Sequence, residues 1–167
     1  MGCQELIRIE PMRLRDLDEV RNIERKSFAT PWSYGAFLSE LVENENAHYL
    51  VARCSEDVVG YVGLWVILDE GHITNVAVRP DMRNRGIGHM LLTAITALAL
   101  KHGVWKMTLE VRKSNSRAQR LYQALGYRPA GVRPRYYVDN NEDAIIMWKE
   151  LTDDDKERLG IGDRDQL

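Results

Sequence analysis

An α/β fold built around an antiparallel meander is what this 167-residue sequence predicts, and three observations predict it. The runs "HYLVAR", "DVVGYVGLWVIL" and "GHITNVAVR" are rich in β-branched and aromatic residues and are separated only by "CSED" and "DEG". Such runs at short spacing read as strands joined by turns. Helical periodicity flanks them: Leu17, Val20, Ile23 and Phe28 on one side, and Ile87, Met90, Leu91, Ala94, Ile95 and Leu98 on the other. Finally, "WKMTLEV" alternates strictly, with Trp105, Met107, Leu109 and Val111 facing one way and Lys106, Thr108 and Glu110 the other.

The remaining elements follow in order. "LIRIEPMR" is a short strand that Pro11 closes, and a helix starts near Asp16. "ATPWS" breaks that helix, and Ser33 suits the N-cap of a second one carrying Phe37, Leu38, Leu41 and Val42. After the meander, the long helix ends at "KHG" with Gly103 as its C-cap. "SNSRAQRLYQALG" is a capped helix closed by Gly126, and two strands, "GVRPRYYV" and "DAIIMWKEL", are joined by "DNNE". With no repeat and no linker, residues 1–151 are expected to form one domain, followed by a charged tail or frayed helix over 152–167.

An apolar content of 44% is ample for a core, and a net charge of −2 gives no electrostatic case for nucleic acid or membrane surfaces. No apolar run reaches the roughly 20 residues that span a bilayer, and "MGCQELIRIE" has no signal-peptide core. Gly2 and Cys3 resemble the start of a lipidation signal, but Leu6 stands where serine or threonine is needed. The two cysteines are too few for a disulfide framework and wrongly spaced for zinc. The expected setting is soluble, reducing and cytoplasmic. His48, His72, His89 and His102 show no metal-binding pair and no carboxylate–histidine arrangement, so they are expected to be structural or exposed, and no metal is expected.

Between a strand and the long helix lies "VAVRPDMRNRGIGHMLL", with Arg83, Arg85, Gly86 and Gly88 close together. A helix N-terminus offers unpaired N–H groups and positive dipole charge, which suits an anion. Gly86 lets the loop turn its N–H groups inward, and Gly88 removes bulk where a phosphate approaches the backbone. An exposed basic turn with a glycine helix start is the plainer alternative. His89 and Met90 exclude a P-loop, Leu91 replaces the third small residue of a dinucleotide fingerprint, and Pro80 to Asn84 separate the strand from the glycines.

What remains, R-x-x-G-x-G after a strand and before a helix, resembles the pyrophosphate loop of the GNAT superfamily of acetyl-coenzyme A-dependent N-acetyltransferases. The likeness runs from about residue 6 to 151 and includes the two early helices, the strand ending "NVAV" and the late "LYQALGY" junction. "NVAVRP", "LEVRKSN" and "EDAIIM" look most like the ribosomal-protein-alanine N-acetyltransferases (RimI type). The resemblance implies a mixed, mostly antiparallel twisted sheet with helices on both faces. It implies that Val76, Ala77 and Val78 present backbone groups to the pantetheine arm and acetyl carbonyl. It further implies that Arg83, Asn84, Arg85, Gly86, Ile87 and Gly88 hold the pyrophosphate, and that Asn115 contacts acetyl-CoA.

Acetyl transfer to an amine needs a proton acceptor, oxyanion stabilisation and a donor for the leaving thiolate. Glu110 is the only acid on its strand; read alone, it equally suits a surface residue paired with Lys106 or Arg112. The family places a general base at this "LEV" position, and partial burial is expected to raise the carboxyl toward useful basicity. Tyr122 reads alone as a core aromatic beside Ala118 and Leu125; the family places a general acid there, and a phenol is protonated at neutral pH. Tyr34, Tyr136 and Tyr137 are candidates to clamp a peptide backbone, or are ordinary aromatic packing. The implied activity is acetylation of a protein N-terminus, of the kind found on a ribosomal protein beginning with Ala or Ser. Rival readings are acetylation of lysine or of a small amine, and a non-catalytic acyl-CoA-binding module.

Overall fold

The computed structural model describes residues 6–162, so Gly2, Cys3 and the end of the tail lie outside the described residues. The strands form a seven-stranded mixed sheet in the order β1-β2-β3-β4-β5-β7-β6. They are β1 (Arg8–Pro11), β2 (Ala47–Cys54), β3 (Asp57–Ile67), β4 (Glu70–Val78), β5 (Lys106–Arg112), β6 (Arg128–Tyr137) and β7 (Glu142–Glu150). The helices are α1 (Leu17–Ser27), α2 (Tyr34–Val42), α3 (Ile87–Lys101), α4 (Ser116–Ala124) and α5 (Asp153–Arg158). The chain divides into two compact units, one running to Trp65 and resuming at Ile73–Thr96, the other made of Val66–His72 and the chain from Ala97 onward.

In the first unit β2 pairs antiparallel with both β1 and β3. Leu17, Val20 and Ile23 of α1 lie on one helical face and are buried with Phe37, Tyr49, Val51, Val58 and Tyr61. Phe37 meets the rings of Tyr49 and Tyr61 edge-on, an arrangement favoured by the aromatic quadrupole. Ser33 caps α2 as expected, its hydroxyl accepting from the Ala36 amide at 3.1 Å. Phe28 does not extend the α1 stripe, because the chain turns extended there. On α3 the buried row is Ile87, Leu91, Leu92, Ile95 and Ala99, while Met90 is 37% exposed, so the stripe is rotated from the expected one.

In the second unit the first residues of β4 run parallel to β5, with His72 opposite Thr108. β7 pairs antiparallel with β5 and with β6. Met107, Leu109 and Val111 are buried as the alternation requires. Trp105 is not with them: it precedes β5, is 45% exposed, and its indole N–H donates to Asp69 at 2.6 Å. β6 is exposed along most of its length and shifts register twice against β7, at Pro129/Gly131 and between Arg133 and Tyr137. The second shift contains Pro134, which has no N–H to give a ladder, and Arg135 at φ +52°. The Arg135 amide is bonded instead to the Asp143 carboxylate at 2.9 Å.

Candidate active site

Glu110 lies on β5 with its side chain 12% exposed, on the face opposite Met107, Leu109 and Val111. Its partners are neither Lys106 nor Arg112. Oε2 is 2.6 Å from His72 Nε2, and Oε1 accepts from Arg133 Nε at 3.3 Å. Lys106 instead lies over the Trp148 ring at 4.0 Å. Arg112 covers the Tyr137 ring at 3.9 Å and is tethered to Asp139 at 2.9 Å. Two expectations are corrected here. A carboxylate–histidine pair does exist, and the Glu110 carboxyl is held below its ordinary value rather than raised. The hydrogen bond from His72 is the main cause, and with the charges of His72 and Arg133 it outweighs the opposing effect of burial.

Tyr122 is 7% exposed on α4 and packs edge-on against Tyr127, ring centroids 5.9 Å apart. Burial pushes its phenol further above the ordinary range, so it stays protonated. Tyr136 and Tyr137 emerge from the β6 bulge with rings in T-shaped contact at 5.1 Å. Burial pushes Tyr137 up to about 12 against the pull of Arg112, and the Glu110 charge is felt by both tyrosines. Glu110, Tyr122, Tyr136 and Tyr137 thus belong to one electrostatic neighbourhood. Asn115 spends its side-chain oxygen on the N-cap of α4, bonding the Ala118 amide at 3.1 Å.

In the first unit, Val76, Ala77 and Val78 end β4, and Pro80–Met82 make one 3-10 turn anchored by buried Met82. Asn84 and Gly86 both adopt left-handed backbone, φ +63° and +79°, around exposed Arg85. Alternating conformations of this kind turn successive N–H groups into a concavity for an anion. A Cβ at Gly86 would meet nothing within 4 Å, so the glycine answers to backbone conformation and not to crowding. Arg83 donates to the Val78 carbonyl at 3.0 Å and to Ser27 Oγ at 3.2 Å, tying the loop to β4 and α1 with part of its guanidinium. Ile87 is buried, so it has only its backbone amide to offer, in the first turn of α3. Tyr34 opens α2 and is exposed. The loop suits a pyrophosphate. Among the described residues no group of three His, Cys, Asp or Glu side chains could hold a metal ion, and no helix is long and apolar enough to cross a membrane.

Comparison with known proteins shows the family of the chain. Residues 17–127 match the model of the Acetyltransferase (GNAT) family. The chain belongs to the GNAT family. It is an acetyl-CoA-dependent N-acetyltransferase. A Bacillus subtilis (strain 168) protein, provisionally named a ribosomal protein bS18-alanine N-acetyltransferase, is 41% identical over 145 residues, 87% of this chain and 96% of the relative. The Escherichia coli (strain K12) ribosomal protein bS18-alanine N-acetyltransferase is 36% identical over 143 residues, 83% and 94% of the two chains. The crystal structure of the Escherichia coli ribosomal-protein-S18-alanine N-acetyltransferase superposes with a TM-score of 0.81 at 34% identity, covering 88% of this GNAT chain and 95% of that one.

His72 and Arg133 are the residues of this GNAT enzyme that sequence reasoning missed. No local signal marks them: His72 reaches the row beside Glu110 only through the parallel pairing of β4 with β5.

Proposed function

We propose that this enzyme acetylates the α-amine of a protein, a cytoplasmic ribosomal protein beginning with Ala or Ser, through the 1–151 domain with 152–167 as its tail. The observation that carries the reading is the likeness, over nearly the whole chain, to enzymes named for ribosomal protein bS18. Acetyl-CoA supplies the activated thioester; Arg85, Asn84 and the amides from Gly86 to Gly88 hold its pyrophosphate, with Arg83 fixing the loop. Val76, Ala77 and Val78 present backbone groups to the pantetheine arm and acetyl carbonyl, and Asn115 adds a contact through its free amide hydrogens. Glu110, ionised throughout the working range, accepts the proton lost by the amine, through water, with His72 beside it. Tyr122 donates a hydrogen bond to the departing sulfur. Tyr34, Tyr136 and Tyr137 hold the first backbone units of the acceptor.

Neutralising an α-amine at pH 7 costs about 1–1.4 kcal/mol, against about 4.6 kcal/mol for lysine. A carboxylate held below its ordinary range suits the smaller task. The test is a panel of N-terminal peptides beside proline-blocked peptides, free lysine and spermidine, with acetylation read by mass spectrometry. Peptides beginning with Ala or Ser should be acetylated at the α-amine. Acetylation of spermidine or an internal lysine with the α-amine untouched would overturn the reading.

A further inference from the structure

A groove of about 620 Å³ opens beside α2, lined by Trp32, Ser39, Glu40, Glu43, Asn44 and Trp65, all in the first unit. Nothing in the acetyl-transfer reading uses it. Glu40 is only 8% exposed and lines it. The carboxylate accepts from Tyr49 Oη at 3.2 Å and Trp65 Nε1 at 2.9 Å on Oε1, and from Asn44 Nδ2 at 2.7 Å on Oε2. A carboxylate has about four acceptor positions, so Oε2 keeps one for a further donor. All three present donors are neutral, and among the described residues no lysine, arginine or histidine lines the groove. Removing such a charge from water without a cation is costly, and a cation entering the groove recovers that cost. A second carboxylate, Glu43, lines the groove beside Glu40 and favours the same kind of guest.

The groove is also joined to the strand that the reaction uses. Tyr49 Oη contacts both Glu40 and Thr74 Oγ1, each at 3.2 Å, and Thr74 Oγ1 bonds Asn75 Oδ1 at 2.9 Å. Asn75 precedes Val76 on β4. A Cβ at Gly63 would come within 2.4 Å of the Tyr49 ring and 2.5 Å of Thr74 Oγ1, so this glycine keeps the chain of contacts closed. The carboxylate floor of the groove is therefore one phenol away from the strand proposed to present its backbone to the acetyl group.

We propose that the Trp32–Glu40–Trp65 groove receives a basic side chain, arginine or lysine, from the acceptor polypeptide near its acetylated end. This rests on the α-amine reading and adds to it a charge requirement beyond the first residue.

The experiment uses peptides beginning with Ala that carry arginine, or its neutral isostere citrulline, at each of the next few positions. The readout is the ratio of kcat/KM for the arginine peptide to that for the citrulline peptide, so that any general loss of stability or turnover cancels. With wild-type enzyme the ratio at the fitting position should be about tenfold or more, the worth of a hydrogen bond to a charged group. It should fall toward one in Glu40→Gln and below one in Glu43→Lys, whose exposed rim position makes it the safer fold. A wild-type ratio near one at every position, or a ratio unmoved by both substitutions, overturns the proposal. Calorimetry with Nα-acetylated forms of the same peptides, which cannot react, reads the groove independently of turnover. Tighter binding of the arginine form, lost in Glu43→Lys, supports it, and equal affinities overturn it. If no α-amine is acetylated at all, the functional reading fails while these binding results still decide the groove.

Discussion

The Glu110 neighbourhood predicts an order of effects that can be worked from its geometry. Removing a general base costs about 10²–10⁴-fold in rate, so Glu110→Gln should show a loss in that range. The 2.6 Å contact between His72 Nε2 and Glu110 Oε2 is a short hydrogen bond to an ionised acceptor. Such a bond is worth about 1.5–3 kcal/mol, so His72→Ala should lower kcat/KM by about 10- to 150-fold. Arg133 is 53% exposed and sits at 3.3 Å, so its ion pair is worth at most about 1 kcal/mol and Arg133→Ala should cost no more than about fivefold. The pH profile adds a sign. His72 is the largest influence holding Glu110 down, so its removal should move the titration of Glu110 upward and narrow the active range from the acid side. The assay is kcat/KM on an Ala-terminated peptide across pH, with acetyl-CoA affinity measured by calorimetry as control. Wild-type rates and an unmoved acid limb in His72→Ala would refute the dyad. Near-wild-type rates in Glu110→Gln would refute the base.

Further expectations follow from individual positions. Tyr122→Phe keeps the edge-on packing against Tyr127 and removes only the hydroxyl, so kcat should fall with cofactor affinity and Tm nearly unchanged; an unchanged kcat would make this tyrosine a core residue. Gly86→Ala should cost about 1 kcal/mol of stability for the left-handed backbone alone, whereas Gly86→Glu should also abolish acetyl-CoA binding in a folded protein; calorimetry finding unchanged affinity would remove the loop from the site. Buried Glu24, which accepts from the Trp32 amide and Tyr61 hydroxyl, is pushed by burial from 4.5 to about 7. Its native state binds the extra proton, so stability should fall by roughly 3 kcal/mol as pH rises through that window. Urea unfolding of wild type and Glu24→Gln on either side of it checks this, and parallel pH dependences would contradict it.

Much of the fold was legible because its signals are local. The Ser33 cap, Gly103 and Gly126 at helix ends, and the burial of Met107, Leu109 and Val111 follow from spacing within a few residues. The misses share a cause. Alternation assigns a side chain to a face but does not say where the strand begins, so Trp105 was placed on a buried row that starts only after it. A helical stripe fixes a set of positions to within one step of rotation, and the α3 face turned so that Met90 was left outside. The β6 bulge needs Pro134, Arg135 and the distant Asp143 together, and none of them signals a bulge by itself.

The same distinction governs the site. The conformation of the 83–88 loop could be read from sequence because a glycine turn and a helix N-terminus are properties of one short segment. The electrostatic state of Glu110 could not, because its partners are 38 and 23 residues away and are delivered by pairing. Parallel register sets His72 opposite Thr108, and Thr108 and Glu110 share a face because side chains on a strand repeat every second residue. His72 therefore arrives beside Glu110 on the neighbouring strand, diagonally along one face. A slip of one residue would turn it to the other face and leave the carboxyl with only exposed Arg133 to set against burial, so its pKa would move upward from its present lowered position. The sequence marks Glu110 as the candidate base, while the register between β4 and β5 brings it the histidine that holds its carboxyl down.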